Sequence, residues 1–219
     1  EKAFERDADK DPKLVKVEIP ESVEEIKEYA FYNSGLEEVN IPENVMEIGR
    51  YAFYHNDLTA IELPESIGSI GAYAFAENDI NKVNIPKQLK KIENRLFFNN
   101  KLESIEFHDD IESIGQYAFS RNKISEVKIP NNIKEINSGI FSGNNLTKVE
   151  IPNHIEKISS FAFAANELSN VTLPEELKII GENAFSGNKM KELSLSSNLQ
   201  EIQSKAFGGN PITELPELP

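Results

Sequence analysis

Cysteine is missing from all 219 residues, which excludes a disulfide framework and any thiolate metal site. Basic residues are also in short supply: 23 Lys and Arg stand against 37 Asp and Glu, a formal charge of −14. Nucleic-acid binding depends on Lys and Arg neutralising phosphates, and an anionic membrane surface repels a chain of this sign. Both partner classes are set aside. No apolar run approaches the roughly 20 residues needed to cross a bilayer, so no membrane insertion is expected of this segment. Only 3 histidines occur. The paired carboxylates Asp109-Asp110 have no identifiable base or nucleophile partner, and the glycines do not form a phosphate-binding loop between a strand and a helix. No enzyme activity, cofactor or metal site is expected.

What the chain has instead is repetition. The segment from Leu36 to Asp57, LEEVNIPENVMEIGRYAFYHND, is rewritten from Leu58 onward, and copies begin at Leu14, Leu36, Leu58, Ile80, Leu102, Ile124, Leu146, Leu168 and Met190. The period is 22 residues, with no insertion or deletion between copies. A repeat of this length builds one coil of a solenoid and buries its apolar residues only by stacking on its neighbours. Residues 14–211 are therefore read as nine coils. Residues 1–13 read as a partial N-terminal repeat, Ala3-Phe4, followed by a loop insertion, and residues 212–219 as an incomplete tenth repeat. The chain is expected to be a processed or excised piece. Asp7, Asp9 and Asp11 have the alternating spacing of a calcium loop, but Pro12 stands where such a loop requires glycine, so the segment reads as a solvated acidic loop.

Within each repeat, positions 4 and 6 are apolar and positions 3 and 5 polar, as in Val39 and Ile41 around Asn40. That alternation predicts a half-buried strand, which proline at position 7 should end in seven of nine copies. His108 and Ser196 are the exceptions. Positions 10, 13, 17 and 18 also fit a helical stripe, but Gly49, Gly71, Gly115 and Gly181 at position 14 oppose a full helix. A short second strand near positions 11–13, a bend at position 14 and a single helical turn carrying Ala-Phe are expected.

Phenylalanine fills position 18 in every repeat, from Phe31 to Phe207, and predicts a stacked aromatic spine. Asparagine holds position 21 in all but the first copy, from Asn56 to Asn210. A buried amide there can satisfy backbone groups left over by the turns, once per coil. The histidines His55, His108 and His154 fall at positions 20, 7 and 9, so no two share a column.

The set LxxVxIPxxVxxIGxxAFxxN resembles the BspA-like, or Treponema-type, leucine-rich repeats of bacterial surface proteins, over Leu14 to about Leu215. The resemblance implies a right-handed, mainly β leucine-rich-repeat solenoid on a secreted or wall-attached extracellular protein. It further implies adhesion or binding of a host or matrix protein or another cell-surface macromolecule. It supplies no catalytic residues. Asparagine stands where many relatives carry cysteine, and the period is 22 rather than the commoner 23.

A binding region has to be sought in what varies. The outward strand positions 3 and 5 are polar, of mixed charge and free of aromatics, which suits a solvated sheet face. All 6 tyrosines instead fall at position 16 or 19: Tyr29, Tyr32, Tyr51, Tyr54, Tyr73 and Tyr117, with Phe98 and Phe161 in the same columns. Tyrosine is enriched at interfaces because it offers a large contact area with a polar end. Tyr29, Tyr32, Tyr51, Tyr54 and Tyr73, with their neighbours Arg50 and Arg95, form the candidate binding edge. Later repeats place Ser142, Ser186 and Lys205 in these columns. Two other readings stay open. The repeats can serve as a ligand-free spacer or stalk, the rings merely covering the turns, or as a carbohydrate-binding accessory domain using the tyrosines as stacking platforms.

Overall fold

The computed structural model describes residues 14–213. The partial repeat at Ala3-Phe4, the Asp7/Asp9/Asp11 segment and Leu215 lie outside them. Two parallel ladders form a mainly β solenoid in which residue i pairs with residue i+22. The first joins three-residue strands such as Lys16–Glu18 and Glu38–Asn40, pairing Val17 with Val39. It recurs between Glu126–Lys128 and Lys148–Glu150, and Ile61 bridges Val83 between them. The second joins two-residue strands such as Glu25–Ile26, Glu47–Ile48 and Ser69–Ile70.

Between the ladders, the proline of position 7 opens a reverse turn. The Val45 amide donates to the Pro42 carbonyl at 3.0 Å, and Ile67 to Pro64 at 3.1 Å. Lacking an N–H, proline ends the ladder, but its carbonyl still closes the corner.

The expected single helical turn around Ala-Phe is replaced by two consecutive reverse turns, and no helix occurs among the described residues. Ala52 donates to the Gly49 carbonyl and Tyr54 to that of Tyr51, each at 3.2 Å. The cause is the backbone at position 16, which is left-handed, with φ 59° at Tyr29, 56° at Tyr51 and 62° at Tyr73. A residue in that region cannot propagate a right-handed helix. The amides turn instead toward the next coil: Tyr51 donates to Ala72 at 3.1 Å, Phe53 to Ala74 at 2.8 Å and His55 to Ala76 at 3.0 Å. The glycine at position 14 answers a close approach. A Cβ on Gly71 would stand 2.4 Å from the backbone nitrogen of Arg50, and one on Gly49 would stand 2.3 Å from that of Glu28.

The core is continuous from coil to coil. Phe53, Phe75, Phe97, Phe119, Phe141, Phe163 and Phe185 are fully buried. Successive rings stack nearly parallel, with centroids 5.2 Å apart at Phe53 and Phe75 and 5.5 Å apart at Phe185 and Phe207. Beside them runs the asparagine ladder. Asn56 Nδ2 donates to the Phe31 carbonyl of the preceding repeat at 2.8 Å and to the Phe53 carbonyl at 3.0 Å, while its Oδ1 accepts from the Leu36 amide at 3.0 Å. Asn122, Asn144, Asn166 and Asn188 repeat the pattern. One side chain thus satisfies backbone groups of two coils, which is why an uncharged residue holding both donors and an acceptor is needed there.

Candidate functional site

The turn edge is where repeats stop being alike, and the left-handed residue at position 16 shapes it. Neighbouring strands in a sheet lie about 4.8 Å apart, so side chains at one repeat position must meet face to face. Tyr29 stacks on Tyr51 with centroids 5.1 Å apart and planes 8° apart, and Tyr51 on Tyr73 at 4.7 Å and 22°. Tyr32 stacks on Tyr54 at 5.4 Å and 12° in the second column. The two columns interlock edge to face: Tyr29 with Tyr32 at 5.6 Å and Tyr51 with Tyr54 at 5.3 Å.

The arginines enter the same stack. The Arg50 guanidinium lies 4.9 Å from the centre of the Tyr51 ring, and a hydrogen bond to Tyr51 raises its pKa further above the ordinary value. Arg95 occupies position 16 itself, with φ 54°, and takes the place of a ring. It lies 5.4 Å from the centre of Tyr73 on one side and 5.0 Å from that of Tyr117 on the other, and its Nη1 donates to the Tyr73 hydroxyl. Such contacts hold a planar cation with little loss of its outward hydrogen-bonding capacity. The structure therefore brings all seven candidate residues, Tyr29, Tyr32, Arg50, Tyr51, Tyr54, Tyr73 and Arg95, into one strip.

Tyr117 and Phe98 prolong the strip, and sequence reasoning placed both in the right columns. Arg121, at position 20, was not singled out; its guanidinium lies 5.5 Å from the centre of the Phe98 ring. The available signal was that three of the chain's four arginines, Arg50, Arg95 and Arg121, fall within the turn segment. The stack stops at Gly139, where a Cβ would come within 2.1 Å of the Tyr117 ring. In the position-19 column the rings end one coil earlier, after Phe98, and Ser120 and Ser142 share a hydrogen bond of 2.9 Å.

The rings are half-buried, with faces taken up by stacking on one another. Burial, followed by the nearby Glu77 charge, raises the Tyr54 pKa above its ordinary value of 10.0. Among the described residues, every ion pair uses lysine, as in Lys16–Glu38 at 3.0 Å and Lys101–Asp79 at 2.7 Å. None of Arg50, Arg95 and Arg121 is paired with a carboxylate. His108 and His154 bond backbone carbonyls instead of each other, Nε2 lying 3.0 Å from Pro86 O and 2.8 Å from Ile133 O. Asp109 and Asp110 are exposed at a turn.

The repeat model for the BspA type leucine rich repeat region matches residues 3–125 and 112–216, in 6 copies. The chain belongs to this family. No match was found among curated proteins. A leucine rich cell surface protein from Faecalibacterium prausnitzii A2-165 is 25% identical, with a TM-score of 0.57. The alignment covers 88% of this chain and 60% of that one. The T. pallidum leucine rich repeat protein TpLRR is 27% identical with a TM-score of 0.56, over 66% of this chain and 72% of that one. Pneumococcal vaccine antigen PcpA, at 24% identity, shares the fold with a TM-score of 0.67 over 90% of this chain and 60% of its own length. The chain thus spans about three-fifths of the F. prausnitzii protein. The leucine-rich-repeat fold is what the chain shares with these proteins.

Proposed function

We propose that this chain is a non-enzymatic protein-interaction module of a secreted or cell-surface bacterial protein, and that it engages a host, matrix or other cell-surface protein through the tyrosine-arginine edge. The family architecture and the similarity to a bacterial cell-surface protein support the class. The observation that carries the site is the run Tyr29, Tyr51, Tyr73, Arg95, Tyr117, stacked along one turn edge and ending at Gly139. Rigid aromatic and arginine groups held in a row lose little conformational freedom on binding, which is what interface anchors require.

The ring geometry also bears on the carbohydrate alternative. Sugars stack on exposed aromatic faces, but both faces of Tyr51 are covered, by Tyr29 and Tyr73. Edges and hydroxyls are left, and these suit a polypeptide surface better.

The test is capture of purified matrix and cell-surface proteins on the immobilised chain, comparing Tyr29, Tyr51 and Tyr73 changed together to serine with Ser142, Ser186 and Lys205 changed together to alanine. Both variants must first melt as cooperatively as the parent. Loss of capture only in the tyrosine variant is expected. Equal loss in both, or loss only in the control, refutes the site. Unaltered capture in both places the partner on another face, and no capture by the parent favours the spacer reading.

A further inference from the structure

Arg50, Tyr73, Asn94, Arg95, Gln116 and Tyr117 line a shallow depression on the turn edge. Its only charged lining residues are the two arginines, on a chain whose formal charge is −14. The other polar groups can donate as well. Asn94 Oδ1 accepts the Gln116 amide at 2.7 Å, which commits the oxygen and leaves Nδ2, a donor, for a ligand. The Tyr73 hydroxyl accepts from Arg95 Nη1 and so retains its own proton to give. Arg95 is clamped between Tyr73 and Tyr117, and Arg50 lies against Tyr51, with no carboxylate paired to either guanidinium. Some lysines, by contrast, do have a carboxylate partner, as Lys101 has Asp79, Lys178 has Glu156 and Lys16 has Glu38.

We propose that this depression receives a carboxylate of an acidic segment of the partner polypeptide, an inference that rests on reading the edge as the interaction surface. A guanidinium with no acid of its own, held flat by rings, presents parallel N–H groups to a carboxylate with its orientation already fixed. A planar, bidentate acceptor fits this better than a neutral or cationic group. A densely sulfated glycan fits worse, because its many charges exceed what two local arginines neutralise on a chain of net negative charge, whereas one or two carboxylates do not.

The experiment follows the arginine Nε–Hε resonances of the whole chain by NMR while a capped oligoglutamate of only two residues is added. The same titration is run with oligolysine and with a heparin-derived oligosaccharide. The expected result is movement of the Arg50 and Arg95 signals with oligoglutamate alone, weakening as salt is raised. Arg50 and Arg95 changed together to glutamine should lower the affinity by about tenfold, since charge-assisted bonds are lost. Arg95→Lys should recover only part of it. Unmoved arginine signals, or oligoglutamate affinity unchanged in the double variant, overturns the proposal. Tighter binding of the sulfated oligosaccharide assigns the site to a glycan and overturns it equally. Capture of a protein partner separates the two readings: loss in the tyrosine triple with retention in the arginine double leaves the edge standing and removes the carboxylate site, while retention in both removes the edge.

Discussion

Removing one ring from the middle of the spine tests whether the solenoid is held as its geometry implies. Phe119 is fully buried, stacked on Phe97 at 5.7 Å and on Phe141 at 5.5 Å, with Phe107 edge-on at 5.5 Å. Phe119→Ala removes the ring's buried area and leaves a cavity that the backbone ladders on both sides prevent from closing, so the expected cost is about 3–5 kcal/mol. Phe207, at the other extreme, is only partly buried and has one stacked neighbour in the described chain, Phe185 at 5.5 Å. Aromatic pairs contribute roughly 0.5–1.5 kcal/mol each beyond area, so Phe207→Ala should cost about 1–3 kcal/mol less than Phe119→Ala. Urea unfolding followed by far-ultraviolet circular dichroism and by tyrosine fluorescence gives both values. Because coils interact only with their neighbours, the central variant should also broaden the transition or separate the two probes, as the weakened interface uncouples the two halves. A cost below about 1 kcal/mol for Phe119→Ala, or equal costs at the two positions, refutes the reasoning.

Asn144→Ala leaves the Ile124 amide and the carbonyls of Phe119 and Phe141 without their 3.0, 2.9 and 3.1 Å partners, so a loss of about 3–5 kcal/mol in urea unfolding is expected. Asn144→Asp should be at least as costly at neutral pH, and should recover on acidification as the carboxyl regains a donor. An aspartate variant as stable as the parent at pH 7 contradicts the assigned bonds. In alkaline titration by ultraviolet absorbance, Tyr54 should ionise after the ordinary tyrosine range, because burial and then Glu77 raise its pKa. Its folded pKa lies above the unfolded one, so the associated stability is complete below the unfolded value and is lost as pH rises through the folded value. Tyr54→Phe should therefore remove a late component; removal of an early one refutes the direction.

Most of the fold was legible because position-by-position repetition fixes the register. Once Val17, Val39 and Ile61 stand 22 residues apart, parallel pairing at i to i+22 leaves little choice. Asparagine in one column likewise announced its ladder, since nothing else recurs there with two donors and an acceptor. The helical turn was misread because Val45, Ile48, Ala52 and Phe53 satisfy a helical stripe, and no side-chain pattern marks a left-handed residue occupied by tyrosine, arginine or phenylalanine. Those residues rarely adopt positive φ, so Tyr51 at 56° is dictated by the ladder above and below it and not by its own preference. The candidate strip was visible as a compositional column. That its rings cover each other's faces, and that Arg95 stands in for a ring, depended on inter-coil spacing that a sequence does not display. Arg121 was missed for the same reason: it contacts Phe98 of the preceding coil, 23 residues away.

Gly139 offers a way to separate backbone strain from the aromatic stack. It occupies the left-handed position 16 with φ 63°, and a Cβ there would lie 2.1 Å from the Tyr117 ring. Gly139→Ala therefore carries two costs, about 1–2 kcal/mol for an L-residue at positive φ and a further part for displacing the ring from Arg95. The ring sits on a half-buried side chain and can swing aside, so the second part should be modest, bringing the total to about 2–3 kcal/mol. Gly68 is the control: its φ is not left-handed and a Cβ would meet nothing within 4 Å, so Gly68→Ala should be neutral or stabilise slightly by restricting the unfolded chain. In a Tyr117→Ser background, Gly139→Ala should cost only the strain part, giving a coupling of about 0.5–1 kcal/mol in the double-mutant cycle. A coupling of zero means that the Tyr117 ring does not lie against Gly139. In that event the stack would have no structural reason to end there, and the contrast between the aromatic coils and the serine-rich coils would reduce to composition alone.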